Sequence, residues 1–403
     1  MAKDDKELRK LMDVIDEVNP YSTYLSESTL SRIDEWIDTG SLALNAIISG
    51  SLHKGIPVGR ITQIAGPSGC GKTFFIQKII ANAQKMGKQV IVFDSENAID
   101  PDDAPNFGID PTKVKYITAL TLENTRNAIN RFLKGVADSG RLGEFVIVMD
   151  NIASMDSELN ESRMDKGSTS ADMGTFAKSV KALLKTCTKW SAITKTTIVF
   201  TNEIYDNPNV MYPTLEKDMP GGRAAVYKPT VTIQIGRKPT KDDEGKTIDN
   251  TLVGGQKGYS GVSLTCRAVK NRIIKPFMEV ELFLSFATGL DRVYGLLEPM
   301  KGLGVVVLDG KTYKDWNGES LGYYKNWRKD KEVWKRLLPK LEEAIAINWS
   351  YNKDEVPDED TTDDDDIPDE EEQPEETPLE KLKNMKKKVS AKLDEMEKEV
   401  DES

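Results

Sequence analysis

Histidine is almost absent from this chain, which contains only His53 among its 403 residues. A catalytic triad with a histidine base would have to use this residue, and no Cys/His pattern has the spacing of a zinc site. Cysteine is also scarce, because only Cys70, Cys187 and Cys266 are present and they lie far apart in the sequence. This usage fits a reducing compartment better than a disulfide framework, so we expect a cytoplasmic protein.

Long apolar runs are missing as well. No stretch approaches the roughly 20 residues needed to cross a bilayer, so we expect no membrane association. The composition, 38% hydrophobic and 30% charged, favours a packed core under a very polar surface. The net charge of −11 is concentrated in residues 354–378, which contain 15 Asp and Glu and no Lys or Arg, so the remainder of the chain is mildly basic.

The first 30 residues begin with an amphipathic helix that ends at Pro20. Its apolar side chains recur at helical spacing, which places them on one face. That face can pack on its own domain or on a neighbouring subunit. The apolar residues are Leu8, Leu11, Met12, Ile15 and Val18.

Four further parts follow this segment. Residues 31–290 alternate apolar strands with helices, and 291–350 form a smaller α/β module. Residues 351–378 are an acidic linker that we expect to be disordered. Residues 379–403 have a near-heptad pattern that predicts a marginal C-terminal helix.

The strands of the 31–290 part are apolar along nearly their whole length, which predicts a parallel sheet that is buried on both faces. Further strands at 231–235, 262–269 and 278–284 are joined by turns and predict an antiparallel extension. The fold class is therefore α/β with a mixed, mostly parallel sheet. The first strands are predicted at 61–65, 89–93, 145–149 and 197–201, with helices at 73–83, 122–136 and 174–190.

A phosphate-binding motif lies between the strand at 61–65 and the helix after it, which is the context that this motif requires. Its glycines let main-chain N–H groups turn toward phosphates, and the start of the helix adds its positive end. Lys72 is expected to neutralise the β- and γ-phosphates of ATP, and Thr73 to bind Mg²⁺. The motif consists of Gly66, Pro67, Ser68, Gly69, Cys70, Gly71, Lys72 and Thr73.

Two carboxylates follow strands at the same edge of the predicted sheet. Asp150 comes directly after the strand at 145–149, where phosphate-loop ATPases hold Mg²⁺, although a strand-end Asp can also cap a turn. Glu96 lies just beyond the strand at 89–93, where it can orient and polarise the attacking water or form a surface salt bridge. The phosphate loop nearby favours the metal role for Asp150 and the catalytic role for Glu96.

Lysines recur along the helix predicted at 174–190. Lys178, Lys181, Lys185 and Lys189 occur at i, i+3, i+7 and i+11 and therefore share one face. A basic stripe suits contacts with nucleic-acid phosphates. A solvated helix face explains the pattern equally well.

Two long segments flank this helix and are predicted to be irregular: the first long loop, residues 154–173, and the second long loop, residues 205–225. Long loops inside a compact domain are usually functional or disordered, and both leave the sheet at its active edge. An apolar group at 210–212 can wedge between bases or pack locally. The candidate contacts are Arg163, Lys166, Val210, Met211, Tyr212, Lys217, Gly221, Gly222 and Arg223.

Lys270 and Arg272 follow the strand at 262–269 and point the same way, because they are two residues apart in an extended stretch. Such a pair can act as arginine fingers on a γ-phosphate. Spacing alone favours two ordinary surface cations.

Residues 31–345 resemble the RecA family of recombinases, and within it the phage recombinases of the UvsX type. The phosphate loop alone would be unspecific, but five motifs occur in the order of the family. Besides that loop, the resembling segments are 39–45, 93–100, 201–203, 219–223 and 269–273.

The resemblance implies nucleotide-binding roles that spacing leaves open. Glu96 would be the catalytic carboxylate, and Asp100 would touch the adenine. Lys270 and Arg272 would reach the γ-phosphate of the ATP held by the neighbouring subunit. The implied ATP site also includes Phe74, Asn202 and Glu203.

The same resemblance implies a DNA interface and an assembly. The two long loops would be DNA loops, with Met173 and residues 210–212 near the bases and Lys178 and Lys185 on the phosphates. The N-terminal helix would dock on the next subunit, which predicts a homo-oligomeric helical filament. The acidic tail resembles inhibitory tails of this family.

Three positions depart from the family pattern. Glu203 stands where the bacterial proteins have a γ-phosphate-sensing glutamine, so either Asn202 senses the phosphate or Glu203 points elsewhere. Asp103 stands where they stack an aromatic ring on adenine. The second cation is Arg272 and not lysine, which offers a planar fork of donors.

The function implied is an ATP- and Mg²⁺-dependent recombinase that binds single-stranded DNA and pairs it with homologous double-stranded DNA. A single-strand-binding protein and a loading mediator are further expected partners. A hexameric helicase with the same core is the alternative, although no arginine finger is placed for a ring. An ATPase that does not act on DNA is a third possibility, which DNA-stimulated ATP turnover would exclude.

Overall fold

The computed structural model describes residues 11–12, 14–19, 21–166, 173–205, 217–238, 251–253, 256–258 and 261–351. The predictions for the acidic linker from residue 352 onward and for the C-terminal helix lie outside these residues. Residues 11, 12 and 14–18 are helical, as their amphipathic pattern indicates, and Leu11, Ile15 and Val18 are exposed. Leu8 and Pro20 of the same prediction lie outside the described residues.

Seven of the strands follow the predicted apolar runs and extend several of them by one to three residues. In chain order they are β1 (Trp36–Ile37), β2 (Ile56–Pro57), β3 (Ile61–Ala65), β4 (Gln89–Asp94), β5 (Val114–Thr118), β6 (Phe145–Asp150), β7 (Thr197–Asn202), β8 (Val231–Lys238), β9 (Thr251–Val253), β10 (Gln256–Gly258), β11 (Gly261–Asn271), β12 (Glu279–Ser285), β13 (Gly289–Leu290), β14 (Val306–Asp309), β15 (Thr312–Asp315) and β16 (Ser320–Gly322).

Nine of these strands form the central sheet, in the order β13-β12-β11-β8-β3-β7-β6-β4-β5. The neighbours from β8 to β5 pair in parallel, and β11, β12 and β13 extend the sheet in antiparallel pairing. Strands β3 and β7 are buried at every position because helices cover both faces of the sheet. The predicted mostly parallel sheet with an antiparallel extension is therefore confirmed.

The helices among the described residues after position 40 are α1 (Leu42–Ser49), α2 (Lys72–Lys85), α3 (Leu122–Ser139), α4 (Glu158–Asp165), α5 (Met173–Thr194), α6 (Arg223–Tyr227), α7 (Leu297–Gly302), α8 (Tyr324–Trp327) and α9 (Lys331–Asn348). None of the helices that the structure describes is long and apolar enough to span a membrane.

Helix α4 departs from the irregular segment predicted at 154–173. Ser157 caps its amino end by accepting a hydrogen bond from the N–H of Asn160, and Glu158 and Glu161 lie in its first turn. Acidic side chains at this end favour helix because they oppose the positive end of the helix dipole. The prediction is therefore wrong for residues 158–165.

Two hydrophobic clusters lie on the faces of the sheet. One face is covered by α1 and α2, and the other by α3 and α5. The smaller module at 291–350 shares the first cluster, since Trp334, Leu337 and Leu341 of α9 belong to the same group of buried residues as Ile47 of α1. The module is thus packed into the core of the preceding residues.

The carboxyl ends of the parallel strands meet at one edge of the sheet. Ala65 at the end of β3 is the register partner of Asn202 on β7, and Asp94 on β4 is the partner of Asp150 on β6. In parallel α/β sheets this edge is where ligands bind. The fold therefore brings the phosphate loop, Glu96, Asp150 and Asn202 into one neighbourhood.

Candidate active site and nucleic-acid interface

The phosphate loop, residues 66–73, connects β3 to α2. The N–H of Gly66 donates to the carbonyl of Asn202 at 3.1 Å. A Cβ atom at Gly66 would lie 2.5 Å from Cys70 Sγ and 2.9 Å from the carbonyl oxygen of Ile235, so only glycine fits there. Cys70 is buried, and burial raises the pKa of its thiol, which matches a packing role.

The start of α2 is open to an anion. The helix follows Gly71 and has no side-chain cap, so its first N–H groups face the loop, while Pro67, Ser68 and Gly69 are exposed. Lys72 is 8% exposed, and its Nζ donates to the carbonyls of Gly66 at 2.9 Å and Pro67 at 3.1 Å. The loop therefore encloses a buried cation beside the positive end of a helix, which suits polyphosphate.

Asp150 is fully buried, and its carboxylate accepts hydrogen bonds from two hydroxyl groups. Thr73 Oγ1 donates to Asp150 Oδ2 at 3.0 Å, and Thr201 Oγ1 donates to Oδ1. Burial raises the pKa of Asp150, the nearby carboxylates of Asp94 and Glu96 raise it further, and the two hydrogen bonds oppose the rise. A divalent cation would favour the ionised form. Hydroxyl and carboxylate oxygens at this point fit Mg²⁺, which prefers oxygen ligands.

Glu96 is exposed, and its carboxylate is oriented by two donors. Oε1 accepts a hydrogen bond from Asn151 Nδ2 at 3.0 Å and another from Ser154 Oγ at 2.9 Å. Both donors belong to the segment directly after β6, where Asn151 also caps a short 3₁₀ turn. The carboxylate is therefore held at the edge of the sheet where an attacking water would need a base.

Asp94 shapes the turn that carries Glu96. Its fully buried carboxylate accepts hydrogen bonds from the N–H groups of Glu96 at 2.9 Å, Ala98 at 3.0 Å and Ile99 at 3.3 Å. Burial and the negative charge of Asp94 raise the pKa of the neighbouring Tyr116 to about 12. Spacing did not identify Asp94, although an Asp at a strand end followed by a tight turn is a recognisable signal.

Asp100 lines a cavity of about 480 Å³ behind this turn, together with Ile80, Asn97 and Tyr116. Its side chain is exposed and accepts a hydrogen bond from the N–H of Asp102. Phe74 faces a different group, since its ring packs edge-on against Phe107 with centroids 5.7 Å apart.

Asp103, at the position where the family has an aromatic ring, is exposed. Aromatic surface beside the start of α2 is therefore supplied by Phe74 and Phe107.

Asn202 and Glu203 occupy the position of the expected γ-phosphate sensor. The side chain of Asn202 is fully buried, accepts from the N–H of Glu203 at 2.9 Å and donates from Nδ2 to the carbonyl of Pro220 at 3.1 Å. Both ends of this amide are thus engaged within the protein. Glu203 is partly exposed.

Lys270 and Arg272 lie together at the carboxyl end of α6. Lys270 Nζ donates to the carbonyl of Tyr227, and Arg272 Nη2 donates to the same oxygen at 2.8 Å. Burial lowers the pKa of Lys270, and together with the charges of Arg272 and Lys228, which act in the same direction, it brings the pKa to about 8. Within the described residues, neither cation makes a hydrogen bond to the phosphate loop of its own chain.

The candidate DNA-contacting lysines Lys178, Lys181 and Lys185 are exposed on α5, as a stripe on one helix face requires. In the two long loops, Arg163 is partly exposed, and Lys166, Lys217, Gly222 and Arg223 are exposed. Val210, Met211, Tyr212 and the side chain of Met173 lie outside the described residues.

Gly221 is buried against α5. Its φ is +94°, and an added Cβ would lie 2.7 Å from Val180 Cγ1. The end of the second long loop therefore packs closely against the helix that carries the lysine stripe.

The chain matches the RecA N-terminal domain family over residues 22–291. It is 30% identical over 284 residues to protein RecA of Aquifex aeolicus, a match that covers 69% of this chain and 74% of that protein.

Protein RecA of Heliobacterium modesticaldum is 26% identical over 327 residues, which are 80% of this chain and 87% of that protein. Protein RecA of Ruminococcus albus is 30% identical over 284 residues, and here the match covers 70% of this chain but only 65% of the relative. These relatives are bacterial, and the closer resemblance to the phage recombinases stays a prediction.

Proposed function

Because the chain belongs to the RecA family, we propose that it is an ATP-dependent DNA recombinase that assembles on single-stranded DNA and exchanges strands with a homologous duplex. The observation that supports this proposal is that the groups expected to act on ATP lie at two separate places in the chain's structure. The phosphate loop, Asp150 and Glu96 meet at one edge of the sheet, while Lys270 and Arg272 contact Tyr227 instead. The cations are thus available to a neighbouring subunit.

ATP binding would use the groups around the start of α2. Lys72 exchanges its hydrogen bonds with Gly66 and Pro67 for phosphate oxygens, and the first N–H groups of the helix bind the same phosphates. Thr73 and Asp150 would hold Mg²⁺, the latter through water. Bound Mg²⁺ neutralises charge that develops on the phosphates during transfer.

Hydrolysis would require Glu96 to accept the proton of the attacking water. Asn151 and Ser154 hold its carboxylate in place, so the base does not have to be ordered during the reaction. Lys270 and Arg272 of the next subunit would stabilise the charge on the γ-phosphate, an effect of roughly 10³ to 10⁵ in rate for arginine fingers. Hydrolysis would therefore depend on assembly.

Assembly would use the N-terminal helix, whose exposed apolar side chains need a partner. The segment that follows it is held on the core by cations, since Arg60 Nη2 donates to the carbonyls of Leu30 at 3.0 Å and Ser31 at 2.7 Å. Lys195 Nζ donates to the carbonyl of Arg32 at 2.8 Å. The helix would then dock on the neighbouring copy and build a helical filament.

DNA binding would use Lys178, Lys181 and Lys185 for phosphates and the two long loops for bases. Binding through phosphates releases counterions, so affinity should fall steeply as salt rises. A single-strand-binding protein and a loading mediator are the further partners that we propose.

The test is ATP hydrolysis with and without single-stranded DNA, combined with electron microscopy of the protein with DNA and an ATP analogue. We expect DNA-stimulated turnover and long helical filaments. Six-membered rings would favour a helicase, and turnover that ignores DNA would favour an ATPase of another type. Lys72→Ala should abolish strand exchange, whereas Lys78→Ala, in the same helix, should not; a Lys72→Ala protein that still exchanges strands with ATP would contradict the mechanism.

A further inference from the structure

Asn271 lies between the two cations Lys270 and Arg272 and faces the opposite way. Successive side chains of an extended chain point to opposite faces, so the middle residue of three is turned away from its two neighbours. The exposure follows this alternation, since Asn271 is 6% exposed, Lys270 is partly exposed and Arg272 is exposed. Strand β11 therefore ends with a buried amide between two cations that remain at the surface.

The amide of Asn271 binds the end of helix α1. Its Nδ2 donates to the carbonyls of Ile47 at 3.1 Å and Ile48 at 2.9 Å. Both carbonyls belong to the last turn of α1, where the helix itself supplies no N–H partners. Asn271 thus caps α1 from a position 224 residues beyond Ile47, and it joins the cation segment, residues 270–275, to that helix.

The oxygen of the same amide fixes the backbone of the cation segment. Oδ1 accepts hydrogen bonds from the N–H groups of Ile273 at 2.8 Å and Ile274 at 3.3 Å. An amide offers two N–H donors and two lone pairs, so the four bonds use its whole capacity. Any change of this side chain leaves buried polar groups unpaired, which is costly.

Two further contacts support the cation segment. Ile274 is 2% exposed, and a Cβ added to Gly50, the residue after α1, would lie 3.0 Å from Ile274 Cγ2. The N–H of Lys275 donates to the carbonyl of Trp349, directly after α9, at 3.1 Å. Because α1 and α9 contribute to one hydrophobic cluster, the segment rests on a close-packed support.

The position of this backbone determines where the two charges can reach. Lys270 and Arg272 both donate to the carbonyl of Tyr227, and they would have to leave this oxygen to bind a phosphate. Long side chains lose rotamer freedom when they bind, and a fixed backbone limits the freedom that remains to be lost. Reacting groups also need a precise placement, because small displacements lower rates strongly.

We propose that Asn271 is a positioning residue for hydrolysis in the neighbouring subunit. By capping α1, it sets the place from which Lys270 and Arg272 reach the γ-phosphate of the ATP in that subunit. The inference rests on the proposed function and adds to it a residue that is buried away from the nucleotide. Asn271 therefore acts on hydrolysis in the next subunit and not on nucleotide binding in its own chain.

The first test is Asn271→Asp in the full chain. The carboxylate still accepts from Ile273 and Ile274, but it sets an oxygen against the carbonyls of α1 where the amide donated. At saturating ATP and DNA, turnover should fall roughly 10- to 100-fold, the effect of displacing reacting groups. ATP affinity without DNA, measured by equilibrium binding, should change by less than about twofold, because a group that acts only in the reaction does not alter ground-state binding.

Asn82→Asp is the matched control for this substitution. Asn82 is 9% exposed, lies in α2 and donates from Nδ2 to the main-chain carbonyl of Asp38 at 2.7 Å. This variant should keep the wild-type turnover. An Asn271→Asp protein with wild-type turnover would overturn the inference, and so would one that loses ATP affinity together with turnover, because that result assigns Asn271 to the ATP site of its own chain.

Mixing two variants separates an effect on the neighbour from a general loss of structure. Glu96→Gln lacks the proposed base but keeps Asn271 and both cations, whereas Asn271→Asp keeps Glu96 and the phosphate loop. In a head-to-tail assembly, equal amounts of the two join an intact phosphate site to intact cations at about one interface in four. The mixture should therefore hydrolyse ATP faster than either protein alone. A mixture no faster than the mean of its two components would contradict the inference.

Lys270→Ala mixed with Glu96→Gln is the reference pair. If this pair restores turnover and the pair with Asn271→Asp does not, the positioning role is refuted while the proposed function stands. If the reference pair also fails, the proposed action of Lys270 on the neighbouring subunit is wrong, and the inference falls with it.

Asn271→Ser covers the case in which Asn271→Asp does not fold. Serine removes the donation to α1 without bringing a negative charge into the buried site. Thermal unfolding identifies a folded variant, and the same turnover and mixing measurements then apply. A folded Asn271→Ser protein should lose turnover alone and regain it beside Glu96→Gln, whereas full turnover on its own would overturn the inference.

Discussion

Thr73 Oγ1 donates a hydrogen bond of 3.0 Å to Oδ2 of Asp150, and this contact joins the end of the phosphate loop to a strand that lies two positions away in the sheet. The two residues are 77 positions apart in the sequence. Their contact exists because β3 and β6 both end at the same edge. It places a hydroxyl and a carboxylate oxygen where we propose that Mg²⁺ binds.

Asp150→Asn should therefore raise the Mg²⁺ concentration needed for half-maximal ATP turnover and lower turnover at fixed Mg²⁺ by about 10- to 100-fold, as expected for a group that holds a metal through water. A Mg²⁺ titration of phosphate release measures both. Asp315→Asn is the control, since Asp315 is 2% exposed but lies in the module at 291–350. Equal Mg²⁺ dependence in the two variants would contradict the metal role.

Glu96→Gln should bind ATP but hydrolyse it about 10² to 10⁴ times more slowly, because the amide keeps the acceptor for Asn151 and Ser154 and lacks the basicity to take a proton. Nucleotide binding and phosphate release, measured separately, distinguish the two effects. Glu144→Gln, at an exposed ion pair with Arg141, is the control. Loss of ATP binding in Glu96→Gln would instead assign Glu96 a structural role.

The lowered pKa of Lys270 predicts that ATP turnover depends on pH. Burial lowers its pKa to about 8, so the side chain loses its proton and its charge as the pH rises through this value. At protein concentrations where assembly limits the rate, DNA-stimulated ATP turnover should therefore decline between about pH 7 and about pH 9, because an uncharged Lys270 is less able to join the γ-phosphate of the neighbouring subunit.

Lys270→Arg keeps its charge over the whole range, and its relative activity should stay level where that of the wild type falls. Turnover of both proteins across this pH range, each normalised to its own maximum, provides the measurement. Parallel profiles would show that another group governs the decline.

The close packing of Gly221 predicts that alanine destabilises the protein more at this position than at the adjacent Gly222. An added Cβ at Gly221 would lie 2.7 Å from Val180 Cγ1, whereas one at Gly222 would lie 3.6 Å from Ala177 Cβ, an ordinary contact. Both residues have positive φ, so each substitution carries a cost for the backbone conformation in addition to its contacts. Gly221→Ala should lower the free energy of unfolding by about 1–3 kcal/mol more than Gly222→Ala.

Urea denaturation of the two variants measures this difference. Similar midpoints would mean that the packing of residue 221 against α5 is looser than the structure indicates. Binding of a single-stranded oligonucleotide by the same proteins would show whether this packing also positions the second long loop.

Local patterns predicted the buried strands of the central sheet because burial imposes them. The strand at 61–65 and the apolar runs at 89–93, 145–149 and 197–201 could only be buried strands, and each lies where it was predicted. Helix α4 was missed because its stability comes from Ser157 and two acidic residues in its first turn, and not from an apolar stripe.

The residues of the candidate site likewise fall into those that the sequence indicates and those that it does not. The motif at 66–73 and the carboxylates Glu96 and Asp150 beyond two strand ends are visible because phosphate binding and metal binding demand particular residue types at fixed places along a strand and a turn. Asn151 and Ser154, which orient Glu96 by donating hydrogen bonds to it, were not identified from the sequence. Nothing in their spacing relates them to a residue more than 50 positions earlier.

By itself, the sequence determined that this chain has a phosphate loop, a parallel sheet to carry it and the motifs of the RecA family, because period, residue type and order along the chain are local properties. Only the tertiary structure decided which groups meet. It turned the amide of Asn202 toward Pro220, and it placed Lys270 and Arg272 on the carbonyl of Tyr227. Such contacts depend on how strands are ordered in the sheet and on the packing of the loops between them, and neither is written in the spacing of residues along the chain.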